Sequence, residues 1–357
     1  MLDIFKNFSS NTLSANGNQT FITDAVPEDI GEGLVFIKVF RSGSFNYRFV
    51  YSGVIDSTFA DGSVSSCNML CSWSIESLSV AVTDDCNFEN LNFSPVHFKG
   101  KEGTVVNGEQ YVVSDSVRIS AYKGDYLCLK ISFSGTRIPC HKESIIPIYR
   151  RFTDGYRLCP EVPVPVFTGI DYEPAKRVAF LGDSITQGIG STFNSYKNFA
   201  AVAAETIGEM YSFWNLGLGF GRASDAASNG IWIEKAKMND VVVLCYGVND
   251  IFKEFNAEKL KSDLFKIVSL LKENGVKVLL QSIPPFDYDE FYAEIWHEVN
   301  RYLRTELSLI TDGFLDCVPV LSLNGGDSPV SRYGGHPNDE GCARWAEALI
   351  PEINKLL

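Results

Sequence analysis

Along roughly the first 150 residues, apolar and polar positions alternate in short runs broken by turn residues. Such runs are "GLVFIKVF" (33–40), "FNYRFVYSGVI" (45–55), "SWSIESLSVAV" (72–82), "SVRISAY" (116–122) and "DYLCLKISF" (125–133). A period of two, interrupted by "FADGS", "VNGEQ" and "YKGD", is the pattern of half-buried strands joined by tight turns. No window there carries a helical period. The pattern predicts an antiparallel β-sandwich, jelly-roll-like, over 1–158. Four prolines then fall in "CPEVPVPVFTGIDYEPAK", fixing φ and disfavouring helix, so 159–175 reads as an extended Pro-rich linker.

From 176 to 357 the pattern changes to strand, loop, helix, repeated. Expected strands are 177–181, 212–218, 240–246, 276–283 and 313–321, several of them continuous apolar runs as in sheets covered on both faces. Expected helices are 195–209, 222–237, 256–274, 288–310 and 338–356; in the third, Leu260, Leu264, Ile267, Val268 and Leu271 recur at helical steps. This predicts a three-layer α/β domain on a parallel, flavodoxin-like sheet, with ligands bound beyond the carboxyl ends of its strands.

Charge and cysteine content narrow the partners. Net charge is −13, with 31 basic against 44 acidic side chains and no Lys/Arg cluster, which excludes nucleic acid and disfavours an anionic membrane surface. Nine cysteines at irregular spacing suit reduced thiols better than a disulfide framework, and the first residues lack a basic-then-apolar leader. A cytoplasmic protein is expected. Cys67 and Cys71 have no second pair at zinc-finger spacing, and nothing in the sequence calls for a metal or cofactor.

The chemistry gathers at one sheet edge. The first strand of the α/β part runs into Gly182-Asp183-Ser184, the second into Gly217-Leu218-Gly219-Phe220-Gly221, and the third into Gly247-Val248-Asn249-Asp250. After the fifth comes "RYGGHPNDEG" with His336, the one histidine of four in a loop at that edge; His97 and His141 lie in the β-rich part and His297 in a helical run. A hydroxyl, a base and N–H donors form the set that acyl transfer needs. G-x-S-x-G is not met, because Thr186 follows Ile185, and a phosphate loop would need a lysine. Taken alone, Ser184 and Asn249 could each cap a helix, and Gly219 could simply form a turn. Asn338, Asp339 and Glu340 read as the cap and acidic first turn of the last helix.

"FLGDSITQG", the glycine loop after Asn215, "YGVND" and "GGHPN" resemble, in order, the four blocks of the SGNH, or GDSL, hydrolase family. The resemblance implies that Ser184 is the nucleophile and His336 its base. It implies an oxyanion hole from the Ser184 N–H, the Gly219 N–H (with Gly221 the alternative) and the Asn249 amide, with Asp183 and Asp250 as possible supports. The family's Asp-x-x-His-Pro is altered here, since Tyr333 stands where the orienting aspartate would be. Some carbohydrate acetylesterases of the family resemble this chain in their Ser–His pair, steadied by a main-chain carbonyl, and in an added β-sandwich. The expectation is therefore a Ser184–His336 dyad with a backbone carbonyl near Tyr333 or Gly334 on Nδ1, and Asp327 as the fallback carboxylate. The expected activity is removal of O-acetyl or other short acyl groups from carbohydrates, on a small-molecule or oligosaccharide ester. A lysophospholipase- or thioesterase-like acyl hydrolase and a non-catalytic glycan-binding protein are the alternatives. Phe220 and Trp232, beside the glycine loop, are core residues or sugar-stacking rings.

Overall fold

A computed structural model describes residues 3–22, 30–55, 69–108 and 111–357. The turn expected in "FADGS", Cys67, and the last two residues of "VNGEQ" lie outside them. The chain divides into two compact units, one running to Pro174 and the other from Ala175 to Leu357.

The first unit is built on two antiparallel sheets of five and seven strands. One of its two twelve-residue strands, Ser72–Thr83, buries Trp73, Ile75, Leu78 and Val80. Ile75 and Leu78 are three apart, and strict alternation would put them on opposite faces. A register shift opposite Ser132 and Phe133 inserts the extra residue that returns both to the inside. Tyr51 of one sheet meets Trp73 of the other edge to face, with ring centroids 5.8 Å apart. A short helix, Asp3–Asn7, sets Phe5 against Phe167 and Tyr111. The helical pattern missed it because five residues are too few to show a period. The segment expected as a connector also contributes a strand. Phe167–Ile170 pairs with both Ser9–Ser10 and Gly43–Ser52, since its N–H groups are free of the prolines around it.

In the second unit the strands are β1 (Arg177–Gly182), β2 (Ser212–Gly217), β3 (Val241–Cys245), β4 (Lys277–Gln281) and β5 (Gly313–Leu315). All pair in parallel in the order β2-β1-β3-β4-β5, the flavodoxin-like winding. Its helices are α1 (Ser184–Gln187), α2 (Phe199–Ile207), α3 (Ala223–Ala227), α4 (Ile231–Ala236), α5 (Val248–Glu254), α6 (Ala257–Glu273), α7 (Glu290–Thr305), α8 (Val318–Leu321) and α9 (Asp339–Asn354). The five apolar positions read from the helical period are the buried face of α6. The run expected as one helix over 222–237 is two, because Asn229 takes a left-handed conformation before Gly230. The last predicted strand stops at Leu315, and Val318–Leu321 turns helical with Pro319 in its first turn. Trp345 of α9 stacks on Phe199 of α2 at 4.3 Å and donates to Gln281 Oε1, fixing both helices to the sheet. Asn338 caps α9 by accepting from the Gly341 N–H. No helix among the described residues is long and apolar enough to cross a membrane.

Candidate active site

β1 delivers Ser184 by a tight exit. Asp183 caps α1, its Oδ1 accepting from the Ile185 N–H at 2.9 Å. Ser184 is the first residue of that helix, and its Oγ lies 2.9 Å from His336 Nε2, within the range of a nucleophile and its base. Close backbone approach makes this possible: a Cβ on Gly217, at the end of β2, would stand 2.0 Å from the Gln187 nitrogen. Asn215 stitches the same contact, donating to the Thr186 carbonyl at 3.0 Å and accepting from the Gly217 N–H at 2.8 Å.

The glycine loop turns over Leu218–Gly221, with Phe220 in the left-handed region. The Gly221 N–H is committed to the Leu218 carbonyl, whereas the N–H groups of Ser184 and Gly219 have no acceptor among the described residues. Asn249, in the first turn of α5, donates one amide hydrogen to the Gly221 carbonyl at 3.0 Å, which leaves the other for a ligand. Its neighbour Asp250 accepts from the Ala223 N–H at 3.0 Å. The two side chains thus hold the C-terminal end of the loop, at Gly221 and at Ala223 two residues on. Burial raises the carboxyls of Asp183 and Asp250 to about 7, against the backbone donors that pull them down.

His336 is held by a different device. It sits in a two-residue strand paired with Ser331–Tyr333. Gly334 and Gly335 both have positive φ (47° and 75°), as a two-residue hairpin turn requires. That turn brings the Tyr333 carbonyl 3.3 Å from Nδ1. The Tyr333 and Phe286 rings flank the imidazole, each centroid 5.0 Å away. Burial pushes the imidazole down to about 4, with the carbonyl pulling the other way, so the ring is neutral and able to accept a proton at ordinary pH. Asp327 is engaged elsewhere, accepting from Ser322 Oγ and Asn324 Nδ2, and no carboxylate among the described residues bonds to His336.

Ser184 and His336 therefore meet, and the loop carrying Gly219 is tied to the end of β1 by the Leu218 N–H on the Gly182 carbonyl and to α5 by Asn249 on the Gly221 carbonyl. Trp232 does not face the site: it is buried, donates to the Leu216 carbonyl at 2.7 Å and carries the Lys235 ammonium over its ring. Sequence reasoning passed over Asn215 and Phe286. The first had a signal, standing two residues before the glycine that it holds; the second lies far from His336 in sequence and meets it only through folding.

Residues 180–344, all within the second unit, match the GDSL-like lipase/acylhydrolase family, and that unit is an α/β domain of GDSL type. No curated protein matches the chain. Among solved structures, a lipolytic G-D-S-L family protein from Veillonella parvula is 19% identical, covering 50% of this chain and 98% of its own, with a TM-score of 0.44. The native aryl esterase of M. smegmatis is 21% identical over 51% of this chain and 100% of its own, at 0.44. A lipolytic G-D-S-L protein of Desulfitobacterium hafniense is 21% identical over 51% and 99%, at 0.41.

Proposed function

We propose that the chain is a serine esterase that removes acetyl or similarly short acyl groups from carbohydrates. The observation that carries this reading is the 2.9 Å contact of Ser184 Oγ with a neutral His336 Nε2. Ser184 Oγ attacks the acyl carbonyl while Nε2 takes its proton, and the carbonyl oxygen becomes an oxyanion. That charge is met by the N–H groups of Ser184 and Gly219 and the free hydrogen of the Asn249 amide. As the tetrahedral intermediate collapses, Nε2 gives the proton to the alcohol oxygen, which leaves with an acyl-serine behind. Water then repeats the sequence: Nε2 takes its proton, its oxygen attacks the acyl carbon, and Nε2 returns the proton to Ser184 Oγ as the carboxylic acid departs.

The Tyr333 carbonyl takes the orienting part of a triad carboxylate. It accepts the Nδ1 hydrogen, fixing the tautomer with Nε2 unprotonated, but carries no full charge to steady the imidazolium. The short-acyl part rests on the Gly-, Asn- and Ser-rich loops around the serine, and the carbohydrate part on the added antiparallel sheets and on the resemblance given above.

The test compares wild type with Ser184→Ala on p-nitrophenyl acetate, butyrate and octanoate and on acetylated xylo- and manno-oligosaccharides. Serine-dependent acetate release that falls with acyl length supports the reading. Rates that climb toward octanoate favour the lipid or thioester alternative, and absence of serine-dependent release from every ester overturns catalysis altogether.

A further inference from the structure

The aromatic rings do not end at His336. Phe286 meets Phe252 at 5.7 Å, Phe252 meets Tyr292 at 4.7 Å, Tyr292 stacks on Phe255 at 5.7 Å, and Phe255 meets Phe291 at 6.1 Å. This track runs from the imidazole to two rings that are half open to solvent, Phe255 at 49% and Phe291 at 58% exposed. Single exposed apolar side chains need no explanation, but a continuous partly exposed strip leading from a reactive pair does. Its framework is rigid. Asn300 of α7 both donates to and accepts from the backbone of Ile283, and Trp296 donates to the same carbonyl, pinning the segment that carries Phe286. Phe252 lies one turn along α5 from Asn249, so one short helix carries the amide and the ring. Phe255 closes that helix in the left-handed conformation (φ 52°), one that side-chain-bearing residues adopt at a cost and keep where the surroundings demand it.

The reaction assigns an end of the substrate to this strip. Nε2 must hand its proton to the leaving oxygen, so the alcohol departs on the histidine side. The rings packed on and beyond His336 are therefore on the alcohol side. Their setting limits which alcohol fits: Asp287, Asp289 and Glu290 are exposed within the same short segment as Phe286 and Phe291. Three carboxylates repel a phosphorylated or otherwise anionic leaving group at close range. A neutral sugar has apolar C–H faces for the rings and hydroxyls for the carboxylate rim.

Resting on the esterase reading above, we infer that the track Phe286–Phe252–Tyr292–Phe255–Phe291 is the alcohol-side subsite, stacking on a neutral oligosaccharide that carries the ester. The experiment compares wild type with Phe255→Ala and Phe291→Ala, singly and together, on acetylated xylotriose and on ethyl acetate, whose alcohol is too small to reach the outer rings. Binding of plain xylotriose to Ser184→Ala, with and without the two changes, is measured by calorimetry. The inference predicts that the double variant raises KM for acetylated xylotriose about tenfold with kcat kept, corresponding to roughly 1.4 kcal/mol. It also predicts unchanged turnover of ethyl acetate, recovery with Phe255→Trp, and a matching loss of xylotriose binding. An unchanged KM, or equal losses on both esters, overturns the subsite while leaving the esterase. Ring-dependent xylotriose binding in a wild type that cleaves neither ester keeps the subsite and overturns the esterase.

Discussion

The serine and histidine sides of the site reach one geometry by opposite means. On the serine side the chemistry is carried by backbone, packed so tightly that a Cβ on Gly217 has no room, and by amide and carboxyl side chains that hold the C-terminal end of the glycine loop. On the histidine side a hairpin of two short strands presents the imidazole between two rings, with a neutral carbonyl behind it. The first side is buried and over-determined. The second depends on one tight turn and on aromatic packing, so small changes there should be felt in turnover before they are felt in stability.

The severest break is loss of either reacting group. Ser184→Ala or His336→Ala should each lower kcat by roughly 10⁴- to 10⁶-fold, read by acetate release under single-ester kinetics. Asn249→Ala removes one oxyanion donor and should cost roughly 100- to 1,000-fold in kcat, with little change in KM. On the histidine side, Gly335→Ala forces a Cβ to within 2.6 Å of Phe286 at a φ of 75°. Loss of about 10- to 100-fold in kcat/KM is expected, because a displacement near an ångström suffices for that. A melting temperature close to wild type would place the damage in the site rather than the fold.

The pH profile sharpens the same contrast. Only neutral His336 can accept the serine proton, so activity is lost as pH falls through the folded value of the imidazole. With that value at about 4, the acid limb of kcat/KM should lie well below the 6.5 of an ordinary histidine. The same depression makes this group's contribution to stability full above 6.5 and lost as pH falls toward 4. An acid limb at 6.5 would mean the imidazole is solvated in the working enzyme. The smallest effect is expected from Asp327→Asn. Since Asp327 bonds to Ser322 and Asn324, turnover should stay within about threefold of wild type, against roughly 10⁴-fold for loss of a triad aspartate.

The two sides also differ in how far the sequence discloses them. Ser184, the glycine loop, Asn249 and His336 could be placed on one edge because each follows a strand that its apolar run marks, and a parallel sheet sends all strand ends one way. Gly219 could be preferred to Gly221, but the reason, that the Gly221 N–H is spent on Leu218, is a matter of turn geometry. Tyr333 in place of an aspartate pointed to a carbonyl, and the Gly334-Gly335 pair is the signal that such a hairpin forms there. The aromatic track left no local trace. Phe252 and Phe286 are brought together by the packing of α5 against the start of α7, and no periodicity within either segment encodes that contact. Trp232, left in the sequence as a core residue or a stacking ring, is a core residue, which its burial shows and its sequence position could not.

The central claim is that Ser184 and His336 act as one unit, and the most direct test is a double-variant cycle. Values of kcat for acetate-ester hydrolysis would be measured for Ser184→Ala, His336→Ala and the double variant, each checked for folding by its melting curve. Groups that pass one proton between them predict a double variant no slower than the slower single one. Losses that multiply, or a Ser184→Ala protein as fast as wild type, would contradict the account.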